Sequence, residues 1–279
     1  MEVEYFPKSV WVGKRIDFPD AGSSWTLREK LTEHSYRLSK KDADEYETTP
    51  SAGATFKCQN LENPAQEALM KIHIQVPYSG TEFRPSSVRG TQASANIPED
   101  LEEYIEALRR LRDCKFTPNL LEHKVDVQEE DGLVPRGWSV YLLATAVHGI
   151  PLAIEGSRYE YENQLTFLVP DGEFWKNLDR PTRDEIRTQF EAAYNDITAK
   201  GVLCGLATLR DIYWDSSTNT LTINTQFEPF GDRYVTKSPT PWSTQYFGVY
   251  GLALRPQSLR FQYDPTMTVP QLEKIGWRF

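Results

Sequence analysis

A lysine and a histidine stand two residues apart in the chain, where their side chains could act together. Lys71 and His73 lie in the run ALMKIHIQV, whose composition predicts a β-strand. Because alternate residues of a strand point to the same side, the two side chains share one face. Such a lysine can polarise a bound group. The alternatives are a lysine on a solvated face and a partly buried histidine whose hydrogen bonds are satisfied.

The other histidines and the cysteines follow no motif of a metal site or a nucleophilic triad. These residues are His34, His123, His148, Cys58, Cys114 and Cys204. Their wide spacing matches neither a zinc motif nor a disulfide framework, so we expect no metal. No Ser-His-Asp or Cys-His arrangement is present in the sequence. Cys204 follows a predicted helix, where it is either a reactive thiol or a small buried one.

The net charge and the hydrophobicity of the chain restrict the kinds of molecule that it is expected to bind. The 279 residues carry a formal net charge of −9, which repels nucleic acid and anionic lipid headgroups. The start MEVEYFPKSV lacks the regions of a signal peptide, and no run of about 18 apolar residues occurs. We therefore expect a soluble, cytoplasmic protein with no nucleic acid and no membrane partner.

The first half of the chain predicts two hairpins and one helix. We expect residues 1–50 to form an irregular N-terminal extension. The runs TFKCQNL and ALMKIHIQV flank a turn at Asn63-Pro64 and predict a hairpin. A helix begins at Pro98, with acidic residues in its first turn. The runs LLEHKVDV and SVYLLATAV predict a second hairpin.

The second half predicts a long helix followed by a short strand-turn-strand segment. The helix runs from about Pro181 to Lys200, with Asp179 as its cap and Gly201 as its stop. The segments DIYWD and LTINTQF then flank the turn SSTNT. A short final helix is expected near Gln271.

This order of elements, with Lys71 on the second strand, resembles the protein-kinase fold. In particular it resembles divergent fungal protein-kinase-like (pseudokinase-like) proteins, over roughly Phe56 to Glu228. The resemblance implies an α+β, bilobal fold. Its parts would be the extension of residues 1–50, a β-rich N-lobe of residues 51–148 and a reduced, mostly helical C-lobe of residues 149–279.

In that family a strand lysine binds the nucleotide phosphates and pairs with a helix glutamate. Lys71 matches the lysine. Glu103 and Glu106 both fit the position of the partner, and both could equally be solvated residues. The spacing does not choose between them.

The run YLLATAVHGIPL resembles the hinge of these proteins, whose backbone meets an adenine ring. Thr145, Ala146 and Val147 would form this hinge. Any buried strand that ends in a turn has a similar sequence, so the motif is a weak one.

The carboxylates of phosphoryl transfer are missing from the segment Gly201 to Glu228. Leu206 stands at the position of the catalytic aspartate, two residues after Cys204, and leucine cannot accept a proton. Asp211 replaces the metal-binding asparagine, and Gln226 replaces the metal-binding aspartate. An amide binds magnesium more weakly than a carboxylate. The Gly-rich phosphate loop is also absent.

The resemblance therefore implies a kinase fold without ordinary kinase activity. We expect the cleft to bind an apolar organic small molecule, with no cofactor, and to catalyse a cyclisation or rearrangement in fungal secondary metabolism. Lys71 with Glu103 or Glu106 would polarise the substrate. The expected lining residues are His73, Thr145, Ala146, Val147, Cys204, Leu206, Asp211 and Gln226. One alternative is a pseudokinase-like scaffold that binds an unidentified protein, and another is a residual atypical kinase.

Overall fold

The computed structural model describes residues 3–153, 159–162, 165–168, 173–205, 207–231, 241–256 and 266–279. Helices lie between strands along the chain and the described strand pairs are antiparallel, so the predicted α+β class is confirmed. The chain divides into two compact units. One consists of Met1–Ile105 with Asn119–Ala146, and the other of Glu106–Pro118 with Val147–Phe279.

The first unit is built on a six-stranded antiparallel sheet in the order β1-β2-β3-β4-β6-β5. Its strands are β1 (Arg15–Phe18), β2 (Ser23–Tyr36), β3 (Ser51–Asn60), β4 (Glu67–Gln75), β5 (Leu120–Val127) and β6 (Trp138–Thr145). Its helices are α1 (Lys8–Trp11), α2 (Lys40–Glu45), α3 (Ser86–Arg89) and the first part of α4 (Glu99–Arg110). Both predicted hairpins and the helix after Pro98 are thereby confirmed.

The two faces of β4 differ, as its sequence predicts. Met70, Ile72 and Ile74 are buried in the core of the first unit, while Lys71 and His73 between them are half-buried. The shared face of Lys71 and His73 is thus confirmed. Residues that lie directly opposite each other on β3 and β4 are on the same face of the sheet, so the residues of β3 opposite Lys71 and His73 share their face.

The N-terminal segment completes the core of this unit. The ring of Phe6 lies 4.9 Å from that of Trp11, and both rings lie 6.2 Å from that of Phe56 on β3. The prediction of an irregular segment is wrong for residues 15–36, which form β1 and the 14-residue β2. Irregular pairing near Leu27 and near Lys30 interrupts the alternation of β2, so its sequence lacks the usual period of two.

The second unit contains the long helix and several short strands. Its elements after α4 are β7 (Ile150–Pro151), β8 (Tyr159–Glu162), β9 (Leu165–Leu168), α5 (Glu173–Lys176), α6 (Arg180–Ala199), β10 (Val202–Leu203), β11 (Ile212–Asp215), β12 (Thr220–Ile223), β13 (Glu228–Pro229), α7 (Tyr246–Val249) and α8 (Val269–Lys274). The predicted strand-turn-strand is β11 and β12, although β12 ends at Ile223 and does not reach Gln226. Helix α8 is the predicted final helix.

Helix α6 has the predicted cap and stop. The side chain of Asp179 accepts a 2.9 Å bond from the backbone N–H of Thr182, which satisfies one free donor of the first turn. Gly201 ends the helix with a φ of 74°, a conformation that glycine adopts without strain. Within the described residues, no helix has the length and apolar character that crossing a bilayer requires.

Candidate functional site

Lys71 is held by a tyrosine that the sequence did not single out. Its Nζ donates a 2.6 Å hydrogen bond to Oη of Tyr104 and lies 5.3 Å from the centroid of that ring. Tyr104 is buried on α4, where Leu101, Ile105 and Leu108 are buried as well. The apolar stripe of the helix therefore fixes the phenol, and the phenol helps to position the ammonium group.

The two glutamates considered as partners of Lys71 belong to different units. Glu103 is half-buried on α4 in the same unit as Lys71. Glu106 belongs to the second unit, where its carboxylate accepts a 3.0 Å bond from Nε of Arg110 and lies 3.8 Å from Arg109. Arg110 also donates to a backbone carbonyl at 2.9 Å. Glu106 thus anchors the end of α4, and the glutamate partner of Lys71 stays a prediction.

Two histidines approach each other above a glycine of β3. In the sheet Gly53 lies opposite His34 of β2 on one side and opposite His73 of β4 on the other. The two imidazole centroids are 6.0 Å apart, with ring planes at 68°. A Cβ on Gly53 would lie 2.6 Å from Nε2 of His34 and 3.1 Å from Nδ1 of His73. Glycine is therefore what lets the rings converge.

The surroundings of both imidazoles favour the neutral form. The pKa of His73 is lowered to about 3, mainly by burial and in part by the nearby His34 and Lys71. Burial also lowers the pKa of His34, with Lys71 adding to the effect and Glu33 opposing it. His34 as a whole residue is nevertheless exposed to solvent.

The predicted hinge residues end β6 and follow it. Thr145 exchanges bonds with Asn119, since its N–H donates to the Asn119 carbonyl at 3.0 Å and its Oγ1 accepts from the Asn119 N–H at 2.9 Å. Ala146 ends the first unit and Val147 begins the second, and both are half-buried. Whether their backbone groups meet a ligand stays a prediction.

Asp211 stabilises its own turn in the second unit. Its Oδ2 accepts bonds from the N–H of Thr208 at 2.8 Å and from the Thr208 hydroxyl at 3.0 Å, while its carbonyl accepts from Asn224 at 2.7 Å. Gln226 is exposed and lies outside β12. Its backbone carbonyl would be 2.6 Å from a Cβ at Gly205, so glycine is required there.

Cys204 is buried, and burial raises the pKa of its thiol to about 12. A thiol of that pKa is almost entirely protonated at pH 7 and a poor nucleophile, which favours the small buried thiol. Leu206 lies outside the described residues. His148 is exposed, and no group of three or more His, Cys, Asp or Glu side chains in the described part of the chain is placed to share a metal ion.

Strand register places His34 and Gly53 beside His73, and helix α4 places Tyr104 beside Lys71. Sequence reasoning had considered Lys71 and His73 but neither Gly53 nor Tyr104 as site residues. The sequence named His34 only as one of four scattered histidines. His34 and His73 are 39 positions apart in the chain, so the sequence did not indicate that they are close in space. The connection between β2 and β3 contains a helix instead of a short turn, and the register of the two strands could therefore not be derived from the length of a hairpin loop.

Comparisons with known proteins found similarity to solved structures alone. No protein-family model and no curated protein matches the chain. A structure of the kinase PK-1 of Cydia pomonella granulovirus is similar over 80% of this chain, with 11% identity and a TM-score of 0.41. The similarity spans 60% of the length of that viral kinase. A likeness at this level does not indicate what this chain binds or catalyses.

Proposed function

We propose that this chain is a kinase-like protein that has lost magnesium-dependent phosphoryl transfer and binds an organic small molecule beside Lys71. The Lys71–Tyr104 hydrogen bond carries the proposal. It keeps a cationic donor half-buried on a sheet face that also presents two neutral imidazoles. A few aimed polar groups on an otherwise apolar scaffold are typical of small-molecule sites.

The order of elements supports the kinase-like part of the proposal. The hairpin of β3 and β4, the helix α4, the hairpin of β5 and β6, the long α6 and the segment of β11 and β12 follow one another as in the resemblance described above. Lys71 lies in the middle of β4, on the face that meets α4. These are the positions at which that family places its strand lysine and its helix.

The carboxylate chemistry of the second unit supports the loss of phosphoryl transfer. Asp211, the one acidic residue at a position that the resemblance assigns to a site residue, uses a carboxylate oxygen to close the turn at Thr208. Gln226 offers an amide where a carboxylate would bind magnesium. Charge compensation for a triphosphate would thus be weak.

For the chemistry at the site we propose positioning and polarisation of an apolar organic substrate. Lys71 would polarise a carbonyl or hydroxyl group of the substrate, and a cyclisation or rearrangement without a cofactor fits this role. Fungal secondary metabolism is the setting that the sequence resemblance suggests. Scaffold function and residual kinase activity are the competing proposals.

One surface feature favours the scaffold alternative. Phe83 is 89% exposed on a loop that is tethered to the sheet, because Glu82 pairs with Arg37 and accepts a 2.7 Å bond from the N–H of Gly80. An exposed aromatic side chain on a fixed backbone is suited to insertion into a protein partner.

Calorimetry and thermal shift separate these possibilities. We expect ATP to give no magnesium-dependent shift, whereas members of a library of aromatic carbonyl fragments raise the melting temperature. Lys71→Met should abolish the fragment effect. Lys57→Met is the matched control, since Lys57 is an exposed lysine of the neighbouring strand in a surface pair with Glu29.

A clear magnesium-dependent response to ATP would support the residual kinase and contradict the proposal. Equal fragment binding by the Lys71→Met and Lys57→Met proteins would show that Lys71 does not form the site. If no fragment binds and Phe83→Ala abolishes capture of a partner, the scaffold alternative is favoured instead.

A further inference from the structure

We propose that His34 and His73 together bind a divalent transition-metal ion, of the class of Zn²⁺, Ni²⁺ or Cu²⁺, above Gly53. This inference concerns the sheet face that the small-molecule proposal also uses, but its ligands are the two imidazoles and not Lys71. It also goes beyond the expectation from the sequence, where the four histidines appear scattered.

The strand register supplies the geometry of such a site. His34 and His73 flank Gly53 from the two neighbouring strands, and their rings lean toward each other over the position where a Cβ is missing. Nε2 of His34 lies 2.6 Å and Nδ1 of His73 lies 3.1 Å from that position. Metal–imidazole bonds are ~2.0–2.1 Å long, so rings whose centroids are 6.0 Å apart can share an ion that lies between them, outside the backbone of Gly53, after small ring rotations.

The chemical state of the rings suits this class of metal. Neutral imidazole is the form that binds a metal, and both rings lie on one face of the sheet. Within the described residues, neither ring takes part in a hydrogen bond, so the nitrogens are available as ligands. Imidazole pairs select zinc, nickel or copper over magnesium and calcium, which prefer oxygen.

The remaining coordination positions face solvent on the side of His34, which is exposed. A site with two protein ligands keeps positions for water or for an oxygen of a bound organic molecule. The charges around the rings set its strength. Lys71 repels a dication, while Glu33 on β2 attracts one, although Glu33 is itself paired with Lys30 at 2.7 Å.

Titration of metal-free full-length protein with Ni²⁺ and with Zn²⁺, followed by calorimetry at pH 7.5, tests the proposal. We expect one site per chain. His34→Ala and His73→Ala should each lower the affinity by about tenfold or more, because even indirect contacts to a metal ligand change affinity about 10–100-fold. His148→Ala is the matched control, since His148 is exposed and lies outside this pair.

Gly53→Ala tests the location without removing a ligand. The backbone of Gly53 is not in the left-handed region and admits alanine, but the methyl group would lie 2.6 Å from Nε2 of His34 and displace that exposed ring. We expect unchanged circular dichroism and a loss of metal affinity comparable to that of His34→Ala. Lys71→Met should strengthen metal binding, because a repulsive charge is removed.

Three results would overturn the proposal. The first is a wild-type protein that binds the metal no more tightly than the His34→Ala/His73→Ala double variant does. The second is a loss with His148→Ala as large as with His34→Ala. The third is full metal binding by a folded Gly53→Ala protein. Failure of the small-molecule proposal is distinguishable, since Lys71→Met weakens fragment binding there and strengthens metal binding here.

Discussion

Nζ of Lys71 on β4 donates a 2.6 Å hydrogen bond to the phenol of Tyr104 on α4. The donor is charged and half-buried, and the acceptor is buried. Hydrogen bonds of this kind are stronger than those between neutral groups, since the charged partner is partly removed from water. The bond therefore joins α4 to the sheet and limits the positions that the ammonium group can take.

Tyr104→Phe should destabilise the protein by about 1–3 kcal/mol, because it removes the acceptor and keeps the ring packing. Urea denaturation measures the change. Tyr36→Phe, at a tyrosine that is 50% exposed on β2, is the control and should change the free energy of unfolding very little. Equal stability of the two variants would contradict a structural role for the bond.

The stability of the protein should fall between pH 6.5 and pH 5 because of His73. The pKa of His73 is about 3 in the folded chain against an ordinary value of 6.5, so in this range the unfolded chain binds more protons. The stability contribution is complete above pH 6.5 and is lost as the pH falls toward 3. From pH 6.5 to 5 the loss amounts to about 2 kcal/mol.

Urea denaturation at a series of pH values, with a chelator present to remove metal, measures this loss. His73→Gln should flatten the profile over this range, while His148→Gln should leave it unchanged. A profile for His73→Gln that overlays the wild-type curve would show that the imidazole titrates normally in the folded protein.

The cysteines should be unreactive in the folded state. All three are buried, and burial raises the pKa of both Cys58 and Cys204 to about 12. Ellman's reagent at pH 8 should label no thiol in the native protein and all 3 after denaturation in guanidinium. Rapid native labelling of one thiol that is lost in Cys204→Ala would instead favour the reactive thiol considered from the sequence.

Arg187→Met should strongly destabilise the second unit. The Arg187 side chain is 3% exposed, its Nε donates to the carbonyl of Leu252 at 2.7 Å, and its Nη1 donates to Asp184 at 2.6 Å. Its guanidinium also lies 5.3 Å from the ring of Phe174 and 5.4 Å from that of Phe279. Arg187→Met leaves the buried carbonyl of Leu252 without its donor, which costs about 1–3 kcal/mol, while Asp184, whose side chain is 48% exposed, stays solvated.

Arg15→Met provides the comparison for this prediction. Arg15 has a similar ion pair with Asp17 at 2.6 Å, but its side chain is 62% exposed. Surface pairs contribute about 0–1 kcal/mol, so urea denaturation should show little change. Similar losses of stability in Arg187→Met and Arg15→Met would mean that the burial of Arg187 does not increase its contribution to the free energy of unfolding.

The helices and hairpins were largely predictable because their signals are local. The cap at Asp179, the stop at Gly201 and the alternation of Lys71 with His73 each depend on residues close together in the chain. The strands of residues 15–36 were not predicted, because irregular pairing in β2 disturbs the period of two on which strand prediction depends.

The sequence by itself determined the α+β class, much of the order of elements and the acidic net charge. All of these follow from residue type and short-range spacing. The tertiary structure decided which side chains meet: Tyr104 with Lys71, and His34 with His73 above Gly53. Those contacts depend on strand register and helix docking, which arise from packing over the whole unit and leave no pattern in neighbouring residues.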